Sequence, residues 1–301
     1  MRRLVAFVVA VAMVAGALYA RSRMDDDDRS TATPTELRVV CSTELAAACE
    51  AIDAAVTVED AGLTADRLVD ADDPDVDAWV VPSPWPELVD IRRDQHDREP
   101  LFGEGTTVAS TRLAMVAWDG ALPCAADPSW RCVADATGQG VKPGFADPTR
   151  DAMGLVVLGH LAVSLLGRTD LSTIDLEDPA FDDTFVRLVR AVPDFGGDPL
   201  TRMLVQGRSA FDVVALADAD AQAILTDAAR KDEVRVLYPA PMGRAGAVVA
   251  ARRGIRLDET TRAEATDAVV ARGWDRGGQA EGLPSAGFLD ALVERWEQVA
   301  R

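Results

Sequence analysis

Short β-rich runs alternate with helical patterns along almost the whole chain, and this alternation limits what the chain can fold into. Leu37–Cys41 is β-rich and ends in Ser42-Thr43. From Glu44 to Ala54 the spacing of Leu45, Ala48, Cys49 and Ile52 predicts a helix with one apolar face. Val56–Val58 reads as a strand and Leu63–Val69 as a helix, with Thr64 suited to its N-cap. Asp77–Val81 is a third strand, closed by Pro82-Ser83-Pro84-Trp85-Pro86 and followed by a helix over Glu87–Gln95. Thr107–Trp118 is a long β-like stretch. A second block repeats the pattern. A strand-like Gly140–Phe145 leads through Asp147-Pro148, read as an N-cap and first-turn pair, into an apolar helix over Ala152–Leu166. Helices follow over Asp182–Val192 and Ala219–Arg230, and strands over Phe211–Leu216, Val234–Tyr238 and Ala245–Ala251. The C-terminal part is helical over Thr260–Arg272 and Ala286–Ala300. Repeated β-α units of this kind predict an α/β fold with a largely parallel, doubly wound sheet.

The N-terminus is of another character. Met1-Arg2-Arg3 precedes an uncharged apolar run from Leu4 to Ala20, the layout of an export signal. At 17 residues the run lies between the length of a signal core and that of a spanning helix. Residues 1–23 are therefore read as either a signal peptide, with Ala15-Gly16-Ala17 as a cleavage site, or a retained membrane anchor. No Cys follows closely to accept a lipid. Residues 24–35 carry Asp25 to Asp28 and little to bury, which predicts a disordered acidic spacer. The expected location is extracytoplasmic, anchored by residues 4–20 or secreted after cleavage.

Export gives the cysteines meaning. Four cysteines allow three pairings, and the local one, Cys41 with Cys49 and Cys124 with Cys132, closes two loops of seven intervening residues. A metal site is not expected, because there is no C-x-x-C and the two histidines, His96 and His160, are far apart. The net charge of −19 argues against nucleic acid, which needs a basic face. No catalytic motif is present. Gly207-Arg208-Ser209-Ala210 breaks the nucleophile-elbow pattern, and Gly138–Gly144 fits neither the dinucleotide nor the P-loop spacing. What remains is the placing of hydroxyls: Ser42, Thr43, Ser83, Ser110 and Thr111 all fall at strand boundaries. In open α/β sheets ligands collect beyond the strand C-termini, where helix N-termini offer free N–H groups. Each hydroxyl taken alone is also an ordinary helix cap.

Four segments, LRVVCSTELAAACEAI, DVDAWVVPSPWPELV, STRLAMVAW and GRSAFDVVALADADA with the following VRVLYPAPMG, resemble the type 2 periplasmic-binding-protein fold of extracellular solute-binding proteins, near its molybdate-binding group. ADPTRDAMGLVVLGHLA fits the family's Asp-Pro and glycine turn before the helix of the second lobe. The resemblance implies two doubly wound lobes, residues 36–109 with 239–301 and residues 110–238. Crossing hinge strands near Thr107–Trp118 and Val234–Ala250 would join them. It implies a cleft ligand held by Ser42, Ser83 and Ser110 and by N–H groups of Ala152, Met153 and Gly154, and the strand-end positions add Thr43 and Thr111 as candidate contacts. Ala217 stands where molybdate binders place a tyrosine, and Pro82 and Pro84 bracket Ser83, so molybdate itself is not expected. The implied function is capture of a small polar or anionic solute by a monomer, without cofactor or turnover, for an ABC-type transporter and its membrane permease. The alternative is a degenerate cleft that recognises a surface protein or glycan.

Overall fold

The computed structural model describes residues 37–103, 105–193 and 197–300, so the expectations for the signal or anchor and the acidic spacer lie outside the described residues. Among the described residues no helix is long and apolar enough to cross a membrane.

The first half of the fold is built from strands β1 (Arg38–Ser42), β2 (Ala55–Glu59) and β3 (Ala78–Pro82). They alternate with helices α1 (Ala46–Cys49), α2 (Ala61–Asp70) and α3 (Trp85–Gln95). Strand β1 pairs in parallel with both β2 and β3, as right-handed β-α-β crossovers require. Strand β3 is buried at all five positions because helices cover both faces of the sheet. Trp79 on β3 meets Trp85 at 6.5 Å and Phe102 at 5.9 Å between ring centres, forming the heart of this core. The helix predicted over residues 44–54 is a 3-10 turn, Thr43–Leu45, followed by the four-residue α1. A disulfide from Cys41 to Cys49 cuts the segment short by tying its two ends together. The second bridge joins Cys124 to Cys132, so both local pairings are formed.

Strand β4 (Thr106–Trp118) then changes sheets. Its first half, Thr106–Arg112, pairs antiparallel with β8 (Arg244–Ala251), which lies beside β3. Its second half, Leu113–Trp118, pairs with β6 (Val213–Ala217) on one side and β7 (Val234–Leu237) on the other. The short strand β5 (Pro143–Gly144) adds to β6 in parallel. The two strand groups are thus two lobes sharing one thirteen-residue strand. The second crossing, expected near Val234–Ala250, is made by β7 and β8 with a loop between them, residues 238–243, containing a cis Ala240–Pro241 bond.

The second lobe carries α4 (Trp130–Thr137), α5 (Ala152–Leu166), α6 (Pro179–Ala191), α7 (Pro199–Gln206) and α8 (Asp218–Thr226). Helix α5 is apolar all round and buried from Ala152 to Val163, since it is packed by α4, α6, β6 and β3. Its N-cap is Asp151, whose carboxylate accepts from the Gly154 N–H at 2.8 Å. The expected cap, Asp147, instead closes the preceding turn by accepting from the Thr149 N–H at 2.9 Å. At α2 the cap position likewise falls earlier, on Asp60, and Thr64 is buried inside the helix with its hydroxyl on Glu59. The chain ends with α9 (Glu259–Ala271), β9 (Asp275–Arg276) against β4, and α10 (Ala286–Ala300).

Helix α10 packs on both lobes. Its Asp290 takes a hydrogen bond from Arg92 of α3 at 2.6 Å, while Trp296 meets Phe145 at 5.4 Å and Phe185 of α6 at 6.5 Å. Trp296→Ala should lower unfolding stability by about 3–5 kcal/mol through the void it leaves. Denaturant titration followed by circular dichroism measures this, and a loss under 1 kcal/mol would mean the ring is not part of the core (about the scatter of surface changes).

Candidate functional site

Between the lobes lies a cleft of about 770 Å³. Its first wall comes from the segments that follow β1 and β2, contributing Thr43, Glu44 and Asp60, with Arg272 after α9. The facing wall comes from the segment after β5, Ala146 to Gly154, and from the starts of α7 and α8 with β6. The cleft therefore opens at the C-terminal ends of parallel strands in both lobes, where an open α/β sheet gathers its ligands. Its size is that of a small-molecule site.

The charge of the walls is lopsided. Glu44, Asp60, Asp147, Asp151, Asp198 and Asp220 all line the cleft, against Arg150 and Arg272. Most of these carboxylates are engaged locally. Asp60 pairs with Arg150 at 3.0 Å, and Asp198 caps α7 through the Leu200 and Thr201 N–H groups, both at 3.0 Å. Glu44 reaches across to accept from the Ala152 N–H at 2.6 Å. Asp220, on α8, has no hydrogen-bond or ion-pair partner among the described residues, and it is mostly buried. Burial, followed by the negative charge of Glu44, pushes its carboxyl up to about 6, while Arg272 works in the opposite direction. Asp151 is raised well above the ordinary carboxylate range by burial first and the Glu44 charge second.

Of the residues read from the sequence, Thr43, Met153 and Gly154 line this cleft, and the others have different surroundings. Ser42 is fully buried and its hydroxyl has no partner among the described residues. Ser83 lies past β3 before a cis proline, its N–H donating to the Gly246 carbonyl at 2.7 Å. The Ser110 hydroxyl accepts from Arg244 at 2.8 Å, and the Thr111 hydroxyl accepts the Ala219 N–H at 3.4 Å at the start of α8. Both hydroxyls are internal connections at the crossing of the lobes. Ala152 offers its N–H to Glu44 rather than to open space. Sequence reasoning looked for hydroxyls at strand ends and passed over carboxylates at the same places: Glu44 after β1, Asp60 after β2, Asp147 after β5 and Asp220 after β6.

The lobes touch along one edge of the cleft. The Gly62 N–H donates to the Arg150 carbonyl at 2.9 Å, and a Cβ at position 62 would stand 2.0 Å from the Thr149 carbonyl oxygen. Only glycine allows that approach.

The fold superposes on solved structures over most of the chain. A periplasmic thiamin-binding protein superposes with a TM-score of 0.59 at 12% identity, covering 88% of this chain and 96% of that one. Iron-bound HitA from Pseudomonas aeruginosa gives 0.60 at 13%, covering 88% and 100%. The chain has the type 2 periplasmic-binding-protein fold. AfuA from Actinobacillus pleuropneumoniae, solved with fructose-6-phosphate, shares this fold with a TM-score of 0.56 at 14% identity, over 88% of this chain and 96% of its own. No protein-family model and no curated protein matches the sequence.

The raised Asp220 gives the fold a pH signature. Its folded pKa lies above the unfolded value, so its share of the stability is full below about pH 4 and is lost as pH rises through about 6. Asp220→Asn removes that penalty and should gain on the order of 2–3 kcal/mol above pH 6, with the gain vanishing near pH 4. Thermal unfolding of both proteins across that range tests it. Equal midpoints at neutral pH would contradict a buried, unpaired Asp220.

Proposed function

We propose that this protein is an extracytoplasmic solute-binding protein that captures a small polar solute carrying a positive charge and delivers it to a membrane permease of an ABC-type transporter. The observation that carries the ligand class is Asp220: a mostly buried carboxyl on the cleft wall, unpartnered among the described residues, with five more carboxylates around the same space. A cation placed there gains attraction from groups that otherwise repel one another, and it lowers the raised Asp220 back toward its ordinary range. The fold supports the solute-binding role, because its structural neighbours include binders of thiamin and iron, among others. The anion expected from the strand-end hydroxyls has weaker support, since the α5, α7 and α8 N-terminal N–H groups already have internal acceptors in Asp151, Asp198 and Thr111. Binding is non-covalent and leaves the solute unchanged. Residues 4–20 would bring the binder to the outer face of the membrane, as a cleaved signal or as a tether that keeps it beside its permease.

A thermal-shift screen at neutral pH over organic amines, guanidinium compounds, amino acids, sugars, sulfate and phosphate tests this reading. A true ligand at a hundred times its dissociation constant should add about 2.7 kcal/mol of stability. The same ligand should bind about tenfold or more weakly to Asp220→Asn, which loses one charge-assisted contact. Affinity should also weaken as pH falls below about 6, where the Asp220 proton competes with the cation. Stabilisation by sulfate or phosphate and by none of the cations would reverse the assignment of charge.

A further inference from the structure

The N-terminus of α5 is held by a side chain of the opposite lobe. The Ala152 N–H is the first donor of that helix, a position with no intrahelical acceptor. Its acceptor is Glu44 Oε1 at 2.6 Å, carried on the turn after β1 and 108 residues away in the chain. Beside it the Asp151 carboxyl caps the Gly154 N–H at 2.8 Å, and Glu44 lies near enough for its charge to raise Asp151. Two carboxylates offer only acceptors, so a hydrogen bond between them needs a proton on one of the pair. Glu44 Oε2 is buried and has no donor among the described residues, so it is free to accept such a proton.

We propose that Glu44 and Asp151 form a proton-bridged latch that fastens the first lobe onto α5 of the second. With the proton in place, Glu44 binds both Ala152 and Asp151 and the cleft edge is held shut. When the proton leaves to solvent, the same contact becomes two facing carboxylates, and the lobes separate on that side. Every element around the pair bears on the balance. Asp60 at the start of α2 is paired with Arg150 from the turn before α5, and Asp147 lies in that same turn. Asp198 on α7, Asp220 on α8 and Arg272 after α9 complete the lining. Carboxylates outnumber arginines, so the surroundings favour keeping the proton. Burial and the Glu44 charge raise Asp151 for the same reason, and closure is therefore present at acid pH and lost as pH rises through that raised value. As a control on solute entry the latch rests on the cleft being the solute site. Its test uses the unliganded protein, so the two readings fail separately.

Residue-resolved amide exchange of Ala152, corrected for the intrinsic rate at each pH, reports the latch directly. Its protection should fall about tenfold as pH rises through the raised Asp151 range, the scale of one charge-assisted hydrogen bond. Glu44→Gln keeps the carbonyl acceptor for Ala152 and donates its own amide to Asp151, so its protection should not change with pH. Asp151→Asn should behave the same way, because asparagine caps a helix and can donate to Glu44. Glu44→Ala should leave Ala152 unprotected at every pH while amides in the middle of α5 stay protected, which also shows that the variant is folded. A flat pH profile in the parent protein overturns the proposal. So does a Glu44→Gln variant that keeps the parent's pH dependence, or a folded Glu44→Ala variant with Ala152 still protected.

Discussion

Strand β4 belongs to two sheets, and the position of the cleft follows from where it changes partners. Up to Arg112 its neighbours are β8 and β9, and from Leu113 onward they are β6 and β7. One strand cannot lie flat in two sheets at once, so the sheets turn away from each other and leave a space between their strand ends. The side chains at the change of partner fasten it. Ser110 accepts from Arg244, which also binds Asp275 at 2.8 Å, and Thr111 caps α8. Arg112 donates to Asp218 at 2.7 Å and lies 4.2 Å over the Tyr238 ring, joining the first crossing to the second. The hydroxyls here join the crossing strands to each other and to α8.

The polarity of the cleft has an equally local origin. Helix N-termini at strand ends carry unpaired N–H groups and partial positive charge, and would by themselves attract an anion. In this chain those donors are met by its own side chains: Asp151 and Glu44 at α5, Asp198 at α7, Thr111 at α8. Caps of this kind stabilise their helices and at the same time place carboxylates around the cleft. Asp220 adds a carboxyl that caps nothing. The cleft thus presents a negative face where the backbone alone would present a positive one.

The order of strands and helices was legible because apolar periodicity is a local property, and every strand predicted in the first lobe is present. Helix starts were less so. Asp147 before Pro148 has the right chemistry for a cap, but α5, which spans Ala152–Leu166 as its apolar run predicts, is capped by Asp151. A Cβ on Gly154 would stand 2.3 Å from the Ala146 carbonyl oxygen, a contact that depends on the tertiary fold. The residues that line the cleft were only partly legible: Thr43, Met153 and Gly154 were marked, and Glu44, Asp60, Asp147 and Asp220 were not. Strand ends can be marked along a sequence, but which end-residues face the cleft depends on the sheet turn at β4. Ser42 illustrates the difference: it directly precedes Thr43, which lines the cleft, yet it ends a buried strand. Period-two alternation of side chains puts such neighbours on opposite sides.

Helix α10 sets the limit on how the lobes can move. It packs on α3 of the first lobe and on α5 and α6 of the second, with Phe288, Leu289, Leu292, Val293 and Trp296 buried. Separating the lobes along this side would expose several large apolar side chains, each worth about 1.5–3 kcal/mol of burial. On the cleft side the connections are polar and few: Glu44 to Ala152, Asp60 to Arg150, and the Gly62 N–H to the Arg150 carbonyl. Each contributes about a net hydrogen bond or ion pair, and each has water as an alternative partner once exposed. The energetic asymmetry makes α10 and the β4 crossing the fulcrum and the rim around Glu44 the part that opens. The contacts along that rim are weak enough for a small molecule to displace.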